Sequence, residues 1–148
     1  MTRALSRALE PIVDAQAAFL VVNPRPELGQ FSSLQVGLQG ILDRGRDAAV
    51  ISPVDRPPAE SPTIANLRGT LERAARDVWA VAPAYDGQHG HPLVVGREMI
   101  AAFLEAPPTG NAREVEHAHQ EHIAYVQVDD RLTVVNIDTP EDYNRLVS

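Results

Sequence analysis

The sequence predicts an α/β fold built on a mostly parallel sheet. Short apolar runs of strand length recur along the chain and end in turns. Helix-period segments of about ten residues lie between them. No internal repeat or low-complexity linker splits the 148 residues, so one domain over residues 1–148 is expected.

The elements follow in order. The opening stretch MTRALSRALEPIVD reads as a short amphipathic helix, because Arg3 and Arg7 precede no apolar block of the kind a signal peptide needs. Ala17–Asn23 is an apolar run that stops at Asn-Pro, as a buried strand entering a turn would. Ser32 or Ser33 then opens a helix with Leu34, Leu38, Ile41 and Leu42 on one face, and Gly45 ends it. Asp47–Val54 is the next strand. Ser61-Pro62 starts a second helix striped by Ile64, Leu67 and Leu71. Val78–Ala82 and Leu93–Val95 read as strands flanking a loop. Glu98–Glu105 and Asn111–Gln120 read as helices, and Ile123–Val128 and Thr133–Ile137 as strands. Thr139-Pro140-Glu141-Asp142 caps a final helix, with acids facing its positive end.

Composition narrows the function. The net charge of −7 disfavours a nucleic-acid backbone as partner. No apolar run reaches the length of about 18 residues that a membrane span needs. There is no cysteine, so thiol chemistry is excluded; the cytoplasm is the expected compartment. All 13 basic residues are arginine, so these residues supply no catalytic lysine.

Ligands of open α/β sheets bind beyond the carboxyl ends of the strands. Gly29, Ser32 and Ser33 could form an anion site at a helix N-terminus, or Ser32 and Ser33 could simply cap it. Asp55, at a strand end in a proline-rich turn, could bind Mg²⁺ or close an Asx turn. Asp138 could supply a second carboxylate or only stabilise the last helix. His91, between Gly90 and Pro92, could donate to a phosphate or a ring carbonyl, or bond to nearby backbone. The stretch Glu116 to His122 has the composition of a metal site. On a helix only His119 and His122 share a face, and His117 pairs with Glu121, so a solvated face is expected there.

The order of these pieces resembles the MobA-like NTP transferase family, of the molybdenum cofactor cytidylyltransferase and guanylyltransferase type. Asn23-Pro24, Gly29-Gln30-Phe31-Ser32-Ser33-Leu34 and Gly37-Leu38 resemble its Asn-Pro, then Gly-x-x-Ser-Ser-Leu-x-x-Gly-Leu segment. Pro53-Val54-Asp55-Arg56-Pro57 resembles its Asp-x-Pro turn. Tyr85 to Pro92 resembles its Tyr-x-Gly-x-x-Gly-His-Pro loop, and Asn136 to Asp142 its closing Asp-Ile-Asp-Thr-Pro-Glu-Asp. Four motifs in the right order cover nearly the whole chain.

The resemblance implies a Rossmann-like three-layer α/β/α nucleotidyltransferase fold. It implies transfer of a nucleotidyl group from CTP or GTP to a molybdopterin-type cofactor, with Mg²⁺ and release of pyrophosphate. Asp55 would then be catalytic and a metal ligand, with Asp138 as a second ligand. Gly29, Ser32 and Ser33 would face nucleotide or pterin, and Gly90, His91 and Pro92 the acceptor. The Ser32-Ser33 form favours the cytidylyl branch.

The family's Leu-x-Ala-Gly-x-Ser-x-Arg-Met-Gly loop and the lysine after it have no counterpart here, and Asn136 replaces the first acid of the closing motif. The chain is therefore expected to correspond to the C-terminal two-thirds of such a domain, without its first βαβ segment. The expected consequences are loss of catalysis in this fragment and either self-association through the first strand or a need for the missing half. The alternative is a non-catalytic remnant that binds a nucleotide, a pterin or a partner subunit.

Overall fold

The structure is a computed structural model that describes residues 3–16 and 18–148. In chain order its regular elements are helices α1 (Arg3–Ala15) and α2 (Gln30–Asp43), strand β1 (Ala49–Ile51), helix α3 (Ser61–Arg73), and strands β2 (Ala80–Tyr85), β3 (Gln88–His89) and β4 (Leu93–Val95). Helices α4 (Arg97–Glu105) and α5 (Ala112–Ala118), strand β5 (Ile123–Gln127) and helix α6 (Pro140–Val147) complete it. The chain divides into two compact units, Met1–Asp47 with Ala101–Ala118 and Ala48–Ile100 with His119–Ser148.

In the first unit, α2 begins at Gln30, two residues before the expected serines. Gly29 takes φ 100°, a value that favours glycine, and turns the chain out of a 3₁₀ turn at Pro26–Leu28. The helix ends as expected at Gly45. With φ 70°, this residue donates to the Leu42 carbonyl at 2.8 Å, and Arg46 donates to that of Ile41 at 3.2 Å. That pair of bonds is a Schellman stop. Phe31 packs its ring 6.1 Å from that of Phe103, and Gln35 donates to the carbonyls of Phe103 and Ala106 at 2.8 Å each.

The strand expected at Ala17–Asn23 is absent from the described residues; Ala17 itself lies outside them. Residues 18–23 join no ladder, and Phe19, Val21 and Val22 are exposed. An apolar run becomes a strand only where another strand takes its backbone bonds. Phe19 instead lies under the Arg44 guanidinium, 4.7 Å from the ring centroid.

The second unit holds the sheet. β5 pairs with β2 in parallel, Ala80 to Ala84 against Ile123 to Gln127. β4 lies antiparallel between β1 and β2, with Val95 opposite both Ala49 and Ala80. Thus β1, β2 and β5 run in one direction, but the pairings are antiparallel except for β2 with β5. This corrects the mostly parallel sheet within an α/β fold that otherwise stands. The reason is loop length: β4 follows the β2–β3 hairpin too closely for a parallel crossover, which takes about a dozen residues or more.

One face of this sheet buries Val81 and Val94 against Leu67 of α3, with Leu71, Val78, Ala124 and Val126 around them. Each such buried side chain contributes roughly 1.5–3 kcal/mol.

Two further expectations change. Thr133–Ile137 is not a strand, since Arg131–Val134 forms a 3₁₀ turn. The Asp130 side chain captures the Leu132 N–H at 3.0 Å and so offers the backbone a local alternative to a ladder. The helix expected over Asn111–Gln120 ends at Ala118, so the pairing of His117 with Glu121 gives way to His122 with Glu121, 3.5 Å apart. The final helix starts as expected: Thr139 and Asp142 form a reciprocal capping box.

Candidate functional site

The second unit brings Asp55, Arg56, His91 and Asp138 together. A turn closes after β1 when Arg56 donates to the Pro53 carbonyl at 3.3 Å. The Asp55 carbonyl accepts from the Ile137 N–H at 2.9 Å, and Arg56 Nη1 donates to the Val135 carbonyl at 3.4 Å. The turn after β1 therefore lies against the segment that enters α6, and Asp138 is the next residue along it.

Among the described residues, neither the Asp55 nor the Asp138 carboxylate accepts a hydrogen bond. An Asx turn at Asp55 would need the N–H of residue 57, which is proline. At the start of α6 the cap is made by Asp142, which accepts from the Asp138 and Thr139 N–H groups at 3.2 and 3.0 Å. The Thr139 hydroxyl, donating to it at 2.8 Å, holds the Asp142 carboxyl below the ordinary range. Asp138 is exposed, and it enters this cap through its backbone N–H and not through its carboxylate.

The loop of Gly90, His91 and Pro92 is pinned from both sides. Gly90 donates to the Pro83 carbonyl at 2.9 Å and His91 to the Thr133 carbonyl at 2.8 Å. A Cβ on Gly90 would lie 2.2 Å from the Thr133 oxygen, so only glycine fits. Pro92 is buried. Burial holds the His91 imidazole below the ordinary value of 6.5; Arg56 pushes the same way and Asp55 opposes both. The His91 Nδ1 is buried without a partner.

Gly29, Ser32 and Ser33 belong to the first unit, where Ser32, but not Gly29 or Ser33, lines a cavity of 220 Å³ together with Asn23, Arg25, Gln35, Gln39 and Leu104 among others. Ser32 is buried; it donates to the Gly29 carbonyl at 2.7 Å and accepts from Asn23 Nδ2 at 2.7 Å. Ser33 accepts from the same amide at 3.0 Å. Ser32 thus spends its proton within the protein, and among the described residues Ser33 donates to none.

Sequence reasoning missed two pairs of rings. His89 stacks on Tyr125 at 3.6 Å, brought there by a two-residue hairpin turn in which Asp86 and Gly87 have φ 47° and 74°. Asp-Gly between strands is the signal that could have found it. Trp79 stacks on His122 at 3.8 Å with His119 leaning in at 5.2 Å, so those two histidines flank an indole. Among the described residues no three metal-binding side chains cluster.

The chain belongs to the MobA-like NTP transferase domain family, whose profile matches residues 2–140. Molybdopterin-guanine dinucleotide biosynthesis protein A from Archaeoglobus fulgidus is similar in structure. Its TM-score is 0.64 at 18% identity, over 95% of this chain and 72% of that one. A homologue of Mycobacterium tuberculosis Rv0371c from Mycobacterium sp. strain JC1 gives a TM-score of 0.58 at 23% identity over 80% of this chain. The match spans 56% of that protein's length. At these identities the likeness shows the fold. No curated protein matches the sequence. No described helix is long and apolar enough to cross a membrane.

Proposed function

We propose that the second unit carries the metal and acceptor side of a nucleotidyl-transfer site, using Mg²⁺ and CTP or GTP, with a molybdopterin-type phosphate as acceptor. The observation that carries this reading is the bond between Asp55 and Ile137, which sets on adjoining segments two carboxylates that accept no hydrogen bond among the described residues. Mg²⁺ is a hard cation that keeps several waters and takes one or two carboxylates beside substrate phosphates, so Asp55 and Asp138 fit it. When bound, it neutralises charge on the phosphates.

In the reaction an acceptor phosphate oxygen bonds to the α-phosphorus of the nucleotide and the bond to pyrophosphate breaks. Such transfer is catalysed mainly by positioning and charge stabilisation. Asp55 and Asp138 would hold the metal, which would supply charge neutralisation at the phosphates. His91, fixed by Gly90 and Pro92, directs a donor at the acceptor. The first unit, taken by itself, offers a candidate anion site in the backbone turn at Gly29 and the Ser33 hydroxyl, with Ser32 bracing them, for a nucleotide or pterin. The Ser32-Ser33 form favours CTP.

Residues 1–148 contain neither lysine nor the glycine-rich loop of the family resemblance. This favours binding without turnover for these residues by themselves. Titration calorimetry with CTP and GTP tests the reading. Binding should require Mg²⁺ and be lost in both Asp55→Asn and Asp138→Asn; binding indifferent to the metal or to both substitutions would refute it.

A further inference from the structure

We propose that Arg56 is the anion ligand of this site, seating a phosphate or pyrophosphate group beside Asp55, with the His91 Nε2–H as a second donor. The proposal rests on the nucleotidyl-transfer reading and assigns a role that the reading leaves open: which group meets the substrate's negative charge directly.

Arg56 is half-buried, and among the described residues its guanidinium meets no carboxylate within ion-pair range. Its hydrogen bond to the Val135 carbonyl, at 3.4 Å, is long. A guanidinium carries five N–H donors in a planar fork that matches phosphate oxygens two at a time, so most of its capacity is unspent. The chain as a whole carries −7 and has no lysine. Asp55 and Asp138 add negative charge locally, so an approaching phosphate needs a cation at this place, and Arg56 provides it.

His91 complements the arginine without duplicating it. Among the described residues its Nδ1 is buried and unpartnered, whereas Nε2 is not a buried unpartnered atom and makes no hydrogen bond. A doubly protonated ring would bury an N–H with no acceptor, at a cost of about 1–3 kcal/mol. The tautomer protonated at Nε2 buries only a lone pair. His91 therefore offers one directed donor, and charge recognition falls to Arg56.

The competing role for Arg56 is a strut to Val135. Arg56→Gln separates the two, because glutamine keeps an N–H for that carbonyl and removes the charge. Full-length chain is titrated with pyrophosphate in the absence of divalent metal, and separately with Mg²⁺ and CTP. Arg56→Gln should weaken pyrophosphate binding about tenfold or more, as loss of a charge-assisted bond would. Arg56→Lys should recover part of it, and all variants should keep the wild-type melting temperature. Nitrogen NMR of His91 should show the proton on Nε2. Unchanged pyrophosphate binding in Arg56→Gln, or no binding by wild type, would overturn the inference. If Mg²⁺-dependent CTP binding survives in that case, the transfer reading stands without this subsite; if it is absent too, both fall.

Discussion

The Asp55 carbonyl accepts the Ile137 N–H at 2.9 Å, and through this one bond the turn after β1 and the approach to α6 become neighbours. Residues far apart in sequence thereby share a site. The bond is between backbone atoms, so the side chains of Asp55 and Asp138 can be changed without cutting the link that brings them together.

The Gly90 loop should not tolerate a side chain. Gly90→Ala drives a methyl group into the Thr133 carbonyl, 2.2 Å away, and something must shift. The expected cost is about 1–3 kcal/mol or more, read from urea unfolding. A stability equal to wild type would mean that the loop does not pack against Thr133.

Asp130 is the buried carboxylate that ties α3 to the turn before α6. It accepts from the Glu60 N–H at 2.8 Å, the Thr63 hydroxyl at 2.9 Å and the Leu132 N–H at 3.0 Å. Asp130→Ala strands all three donors and should cost roughly 2–5 kcal/mol. Calorimetry checks this, and a loss below about 1 kcal/mol would mean that water replaces those bonds.

Elements with strong local punctuation were legible from sequence. Pro62 opening α3, Gly45 closing α2 and the Thr139–Asp142 box each set one end of a helix through chemistry within a few residues. The acids were legible as candidates because they follow apolar runs. What could not be read was decided at long range. Whether residues 18–23 form a strand depends on a partner elsewhere, and the direction of β4 depends on how little chain separates it from β2. The bond that Ser32 accepts depends on Asn23 folding back on it, which no helix-cap rule contains. Arg56 and the buried Nδ1 of His91 were likewise hidden, since unspent donors and missing partners appear only in three dimensions.

Glu116 offers a test by pH. Burial raises its carboxyl above the ordinary 4.5, with Arg113 opposing in part. Because the folded value is raised, the stability this group contributes is fully present below the ordinary value. It is lost as pH rises through the raised one. Glu116→Gln removes the penalty of the buried charge. The variant should melt higher than wild type near neutral pH, and the difference should vanish by about pH 4. Parallel melting curves across that range would remove burial as the cause.

Asp55 and Asp138 are expected to hold one metal ion between them. Mn²⁺ in place of Mg²⁺ broadens the NMR signals of nearby nuclei. With CTP present, signals from residues 53–56 and 136–138 should broaden together at low Mn²⁺. Both sets should recover in Asp55→Asn, with the rest of the spectrum unmoved. Broadening at one segment alone, or persisting at both in the variant, would contradict the shared site.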